Sequence, residues 1–241
     1  MDHSAELIPA VILAGGLATR LRPMTERTPK ALVEVAGRPF LLHQLKLLRQ
    51  NGIRHVVLLV GHLGELIQER FGDGSELGVS IQYSFDGPVL LGTAGAMRRA
   101  LPMLPERFFV LYGDSYLPCN YRNVEAAFRL SGLPGMMTVY RNEGRYDVSN
   151  VEYDHGRILR YDKQAPTPAM RYVDYGLEVF ERSTFAALPQ GEILDLETVY
   201  RELINSKSLA AFEVHERFYE IGSPEGLRDT TQLLKASGEG I

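Results

Sequence analysis

Apolar residues along the chain fall first into unbroken runs and later into alternation. Residues 9–14 are apolar and partly β-branched, and Gly15-Gly16 ends the run, the pattern of a buried strand passing into a loop. Pro39 then opens a helical stretch to Asn51, with Leu41, Leu42, Leu45 and Leu48 at helical spacing and Gly52 as its stop. The alternation continues with a strand at His55–Val60, a helix at 63–71, a strand at 79–83, a helix at 93–101 and a strand at 108–112. Strand and helix in turn predict an α/β, Rossmann-like fold with a mostly parallel central sheet flanked by helices.

Beyond residue 140 the pattern changes. Residues 148–153 and Arg157–Tyr161 alternate around Asp154-His155-Gly156, which predicts a hairpin. Residues 171–180 and Leu209–Val214 read as strands, 196–204 and 224–234 as helices. The expectation is a small mixed sheet in the C-terminal half. The sequence shows no internal repeat, no low-complexity linker and no hexapeptide array, so residues 1–241 are expected to be one domain.

Composition then narrows the functions available. A hydrophobic share of 45% and a charged share of 23% are ordinary for a globular protein. A net charge of −4 lacks the basic footprint that nucleic acid requires, so neither DNA nor RNA is an expected partner. Cys119 is the only cysteine, which rules out an intrachain disulfide and fits a reducing, cytoplasmic setting. The opening Met1-Asp2-His3-Ser4-Ala5-Glu6 carries acids where a secretory leader has Lys or Arg, and no apolar run reaches membrane-spanning length. The six histidines show no metal-ligand spacing. A homodimer is neither indicated nor excluded.

The stretch with most chemistry runs from Leu13 and Ala14 through Gly15, Gly16, Leu17, Ala18, Thr19 and Arg20 to Pro29-Lys30. Small residues after a strand let the backbone approach a ligand, and successive amides in such a turn form an anion-binding concavity. Arg20 and Lys30 add the positive charge that a triphosphate under attack at its α-phosphorus requires. A Gly-rich turn with two solvated bases is the plainer alternative, and the spacing is not that of a P-loop. The longer pattern Gly15-Gly16-Leu17-Ala18-Thr19-Arg20-Leu21-Arg22-Pro23-Met24-Thr25, followed by Pro29-Lys30, resembles the signature of the sugar nucleotidylyltransferases. Ala18 stands where that family usually has Gly, so its backbone must adopt a negative φ or carry strain.

The resemblance extends almost to the C-terminus and implies roles for several residues. Arg20 would hold the β- and γ-phosphates and Lys30 the α-phosphate, with Leu13 to Thr19 beside the nucleotide. Leu90-Leu91-Gly92-Thr93-Ala94-Gly95-Ala96 would recognise the base through Gly92 and Thr93, although small residues at a helix start also serve packing. Asp114, after Gly113 at a strand end, is placed where open α/β sheets bind ligands and would hold Mg²⁺. The second metal carboxylate falls on Glu220, one methylene longer than the usual Asp.

Asp162 and Lys163 resemble the acid and lysine that bind sugar hydroxyls and the sugar phosphate, while Asn150, Tyr175 and Gly176 fall in the sugar pocket. An exposed ion pair at a hairpin end is the alternative for Asp162 and Lys163. Residues to about 140 would then bind the nucleotide, and those from about 141 the sugar phosphate. The implied reaction is NTP plus sugar 1-phosphate giving NDP-sugar and pyrophosphate. The form Leu-Gly-Thr-Ala-Gly is most similar to guanylyltransferases acting on mannose or heptose 1-phosphates. Uridylyl transfer to an amino sugar phosphate is the rival within the class, and a non-catalytic nucleotide-sugar regulator the rival outside it.

Overall fold

The computed structural model describes residues 6–238; the acidic opening segment up to Ala5 lies outside them. In chain order the first half contains β1 (Ala10–Ala14), β2 (Glu34–Val35), β3 (Arg38–Pro39), α1 (Phe40–Gln50), β4 (His55–Val60), α2 (Gly64–Phe71), β5 (Ser80–Phe85) and α3 (Gly92–Ala100). The middle holds β6 (Arg107–Tyr112), β7 (Ser115–Tyr116), α4 (Tyr121–Ser131), β8 (Gly135–Arg141), β9 (Val151–Asp154) and β10 (Arg157–Tyr161). There follow β11 (Tyr172–Glu181), α5 (Ser183–Ala186), α6 (Leu196–Asn205), β12 (Leu209–Val214), β13 (Tyr219–Glu220) and α7 (Pro224–Ala236).

Among the described residues, nine strands form one sheet in the order β5-β4-β1-β6-β11-β8-β12-β10-β9. The first four are parallel, as the strand–helix alternation predicts. The other half differs from expectation: its strands do not build a separate small sheet but extend the same one. β11 is antiparallel to both β6 and β8, and β12 runs parallel to β8. The architecture is therefore α/β with a single mixed sheet.

The pleat sorts β1 between two layers. Ala10 and Ile12 face the side covered by Leu41, Leu45 and Leu48 of α1 and Val124 and Phe128 of α4, and Val11 faces Met97 of α3 and Val199 and Tyr200 of α6. A third apolar cluster joins Val33, Val35 and Phe40 to Tyr116, Ile221 and Leu234, so α7 packs on the β2–β3 ribbon beside the sheet. No described helix is long and apolar enough to cross a membrane.

In β11 the register with β8 slips between Asp174 and Glu178, so that Tyr175, Gly176 and Leu177 bulge opposite Thr138. Thr138 Oγ1 donates to the Leu177 carbonyl at 2.6 Å, and Gly176 has a φ of 92°, a conformation that favours glycine. The bulge lies against Tyr112, which lines the cavity described below.

Candidate active site

The carboxyl ends of the parallel strands open on a cavity of about 320 Å³. Leu13, Ala14, Gly15, Gly16, Ala18 and Lys30 line it from one side, with Gly92, Thr93, Gly113 and Asp114 also on its wall. Glycine here serves close backbone approach: a Cβ on Gly113 would lie 2.6 Å from the Leu13 carbonyl oxygen, and one on Gly15 3.2 Å from the Gly61 amide nitrogen. The Gly113 amide itself donates to the Leu13 carbonyl at 2.9 Å, tying the end of β6 to the end of β1.

Ala18 resolves the question raised by its side chain. Its φ is 50° and ψ 41°, the left-handed region, at the start of the short 3₁₀ turn Thr19–Leu21, and Thr25 Oγ1 donates to its carbonyl at 2.7 Å. The strained alternative is the one adopted. Thr19 and Arg20 on that turn are exposed, so the phosphate-side cation predicted at Arg20 stands at the edge of the cleft and not in its wall.

Lys30 Nζ donates to Asp114 Oδ2 at 2.7 Å, joining the end of the Gly-rich segment to the loop after β6. Glu220 comes to the same place because β13 pairs with β7, setting Glu220 opposite Ser115, while the Ile221 amide donates to the Asp114 carbonyl at 2.9 Å. A Cβ on Gly222 would lie 2.7 Å from Glu220 Oε2, 3.1 Å from Asp114 Oδ2 and 3.2 Å from Lys30 Nζ. Two carboxylates and one ammonium thus face one small volume. That donor set fits Mg²⁺, which takes one or two carboxylates and completes its shell with phosphate and water oxygens. The Gly222 amide and the Ser223 hydroxyl both donate to Glu220, and a carboxylate retains lone pairs beyond these two bonds. Among the described residues no three His, Cys, Asp or Glu side chains form a ready metal cluster.

The start of α3 is built differently from the sequence expectation. The Ala94 and Gly95 amides donate to the Leu194 carbonyl at 2.8 and 3.1 Å, and the Thr93 amide to Asp195 Oδ1 at 3.3 Å. A Cβ on Gly92 would lie 2.5 Å from the Leu194 carbonyl oxygen, and one on Gly95 2.5 Å from that of Glu192. Packing of the segment before α6 therefore occupies these amides, leaving Gly92 and Thr93 as wall residues. Asp195 and Asp86, which the motif reading overlooked, also line the cavity.

On the other side, Lys163 Nζ lies over the rings of Tyr112 and Tyr161, 5.2 and 5.7 Å from their centroids, and 3.9 Å from Asp174 Oδ2. Asp174 and Glu178 are a buried acidic pair that sequence reading also missed. Glu178 is wholly buried beside Asp174 and Tyr200, and among the described residues neither of its oxygens has a partner in good hydrogen-bond geometry. Burial first, and the nearby Asp174 charge second, push the Glu178 carboxyl well above the usual range. Burial likewise raises Tyr112 and Tyr200, whose hydroxyls meet at 3.4 Å.

Asp162 turns into its own loop, accepting from the Gln164 and Ala165 amides at 3.0 and 2.8 Å and from Arg160 at 3.2 Å. The Ala165 amide, foremost, holds its carboxyl below the usual range. Asn150 Oδ1 accepts from the Asp174 amide at 3.0 Å and its carbonyl from the Asp162 amide at 3.0 Å, so it joins the strands that carry Lys163 and Asp174. The Tyr175 ring, expected in the sugar pocket, is instead buried in the core with Phe218 and Tyr140. Gly176 is the bulge residue that reaches the site, a Cβ there meeting Tyr112 at 3.3 Å. Burial pushes the Cys119 thiol up to about 12, so it is held as a neutral core residue.

This arrangement, a glycine-lined cleft with one carboxylate after β6 and its partner in β13, accompanies a family match: residues 9–236 fit the model described as nucleotidyl transferase. The chain belongs to that family. A mannose-1-phosphate guanylyltransferase catalytic subunit beta of Danio rerio is 31% identical over 222 residues, covering 90% of this chain and 61% of the relative. A UTP–glucose-1-phosphate uridylyltransferase of Synechocystis is also 31% identical, over 204 residues, 78% of this chain and 52% of the relative. The chain thus spans between half and two thirds of the length of these curated relatives. The fold is shared with the inositol-1-phosphate CTP transferase of T. maritima, with a TM-score of 0.79 and 24% identity over 98% of each chain.

Proposed function

We propose that this nucleotidyl transferase joins an NTP to a sugar 1-phosphate, releasing pyrophosphate, and that its substrates are GTP and a mannose or heptose 1-phosphate. The observation that carries the reading is the convergence of Lys30, Asp114 and Glu220 on the space beside Gly222 at the cleft. The names of the relatives support the reaction class while differing in the base. The residues before about 140 bind the nucleotide and those after it the sugar phosphate, in a cytoplasmic enzyme.

An oxygen of the sugar phosphate attacks the α-phosphorus, forming a new P–O bond as the bond to the departing pyrophosphate breaks. The nucleophile is already anionic, so no general base is required, and the residues act by position and charge. Lys30, held by Asp114, meets the α-phosphate, and Arg20 at the cleft edge meets the β- and γ-phosphates. Lys163, seated on the Tyr112 ring, binds the sugar phosphate, with Asp162 and Asn150 ordering its loop. Asp114 and Glu220 would hold Mg²⁺, which would supply neutralisation of the phosphate oxygens.

Pyrophosphate release measured over a panel of NTPs and sugar 1-phosphates tests the assignment, and absence of release with every pair overturns it. NDP-sugar binding without Mg²⁺-dependent release marks a non-catalytic regulator instead.

A further inference from the structure

The relatives differ in the base they name, and one acid in the cleft bears on that choice. Asp86 follows β5 and is only 6% exposed, yet it lines the cavity. It leans over the Gly-rich segment, its Oδ2 3.5 Å from where a Gly15 Cβ would sit. Its amide donates to the Val60 carbonyl at 2.9 Å, and within the described residues its carboxylate accepts one bond, from the Leu91 amide to Oδ2 at 3.2 Å. Oδ1 has no partner there. Asp86 is thus a nearly buried carboxylate with acceptor capacity directed at the site and too few protein donors to satisfy it.

From these observations we propose that Asp86 selects guanine, by accepting hydrogen bonds from the N1–H and the N2 amino group of the bound base. The proposal rests on the nucleotidyl transfer assigned above and names its nucleotide.

The chemistry separates the bases. Guanine presents two donors side by side on one edge, matching the two oxygens of a carboxylate, and a bidentate, charge-assisted pair is the strong kind. Uracil and thymine set a single N–H between two carbonyls, which would face the carboxylate with acceptors. Cytosine and adenine place one amino group beside a ring nitrogen lone pair. A buried acceptor left without its donors is what gives a site strong discrimination.

Two features agree with this. Burial lifts the Asp86 carboxyl above its ordinary range, opposed by the Leu91 amide and by Arg99, the state of an acid short of donors. Gly15 lets the Gly-rich segment lie close to Asp86, since a Cβ there would press on the Gly61 amide at 3.2 Å and touch Asp86 Oδ2 at 3.5 Å.

The test is nucleotide binding by titration calorimetry with Mg²⁺ and GTP, ATP, UTP, dTTP or CTP, for the native protein and Asp86→Asn. The amide keeps an acceptor for the Leu91 amide and replaces the other with a donor. We expect the native protein to bind GTP at least tenfold more tightly than each other nucleotide. Asp86→Asn should lose at least tenfold for GTP while UTP changes less than threefold. The preference between nucleotides is read, so a general loss of folding does not imitate the result. A native preference for another base, or an equal loss for all nucleotides in Asp86→Asn, overturns the proposal, as does failure to bind any. Selective GTP binding without pyrophosphate release for any sugar phosphate overturns the reaction assignment and leaves Asp86 standing.

Discussion

The ends of β1, β4 and β6 build their part of the cleft from backbone, whereas β11 and the segment after β10 build theirs from ionisable side chains set among tyrosine rings. In the first region Gly15 meets Gly61 and Gly113 meets Leu13, leaving little room for side chains between strands. In the second, Lys163, Asp174 and Glu178 lie among three tyrosine rings with few hydrogen bonds to share. The first region is fixed by steric fit and tolerates almost no added atom. The second is fixed by electrostatics, and its behaviour should change with pH and with single charge removals.

Removing the cations of the first region should produce the largest effect. Lys30→Ala or Arg20→Ala is expected to lower kcat by about 10²–10³-fold, measured by pyrophosphate release. Arg20 is exposed, so its variant should melt as the native protein does; unchanged turnover would remove it from the mechanism. In the second region Lys163→Met should raise the KM for the sugar phosphate at least tenfold and leave that for the NTP unchanged. Equal changes in both constants would show that the two regions are not divided by substrate.

Steric intolerance is tested at Gly92, where φ is 72° and a Cβ would lie 2.5 Å from a backbone oxygen. Gly92→Ala should cost about 2–3 kcal/mol, a fall in Tm of roughly 4–12 °C for a chain of this size. No change in Tm would show that the segment before α6 yields easily.

Charge sensitivity is tested at Glu178. Its carboxyl is raised in the folded protein, so the folded state holds a proton that the unfolded state releases. Stability from this group therefore falls as pH rises above the unfolded carboxylate range of about 4.3. Glu178→Gln should raise Tm at pH 7.5 more than at pH 5; the opposite order would mean that the acid is ionised and stabilising. The smallest effect is expected at Ala18, where Ala18→Gly relieves a left-handed backbone by less than about 1 kcal/mol, a gain of a few degrees at most by thermal melting.

The contrast also explains what could be read from the chain. β1, β4 and β6 announce themselves because strands buried on both faces need unbroken apolar runs, and glycine must follow where backbones touch. α4 carried a readable signal that was missed: Asn120 caps it, its side chain accepting from the Asn123 amide, and Gly132 ends it in the left-handed conformation. β8 was missed because Thr138 splits its buried interior into the pairs Met136-Met137 and Val139-Tyr140, which show neither the unbroken run of β1 nor alternation. Asp174 and Glu178 were illegible for a related reason. An acid in a strand reads as a solvent-facing position, but β11 is buried on both faces from Tyr175 to Phe180, which leaves Glu178 no solvent-facing side. Asp86-Gly87-Pro88 reads as an ordinary turn, and nothing local reveals that its carboxylate is covered.

The β7–β13 ribbon has a consequence for how the chain acquires its chemistry. Glu220 reaches Asp114 across more than a hundred residues, and Thr230 of α7 donates to its carbonyl at 2.8 Å. A chain growing on the ribosome can fold β1, β4, β5 and β6 long before it possesses Glu220. The paired carboxylates assemble only once β13 pairs with β7, so a chain folded as far as β6 holds Asp114 without Glu220. Late arrival of the second acid delays the pair until β13 has docked on β7.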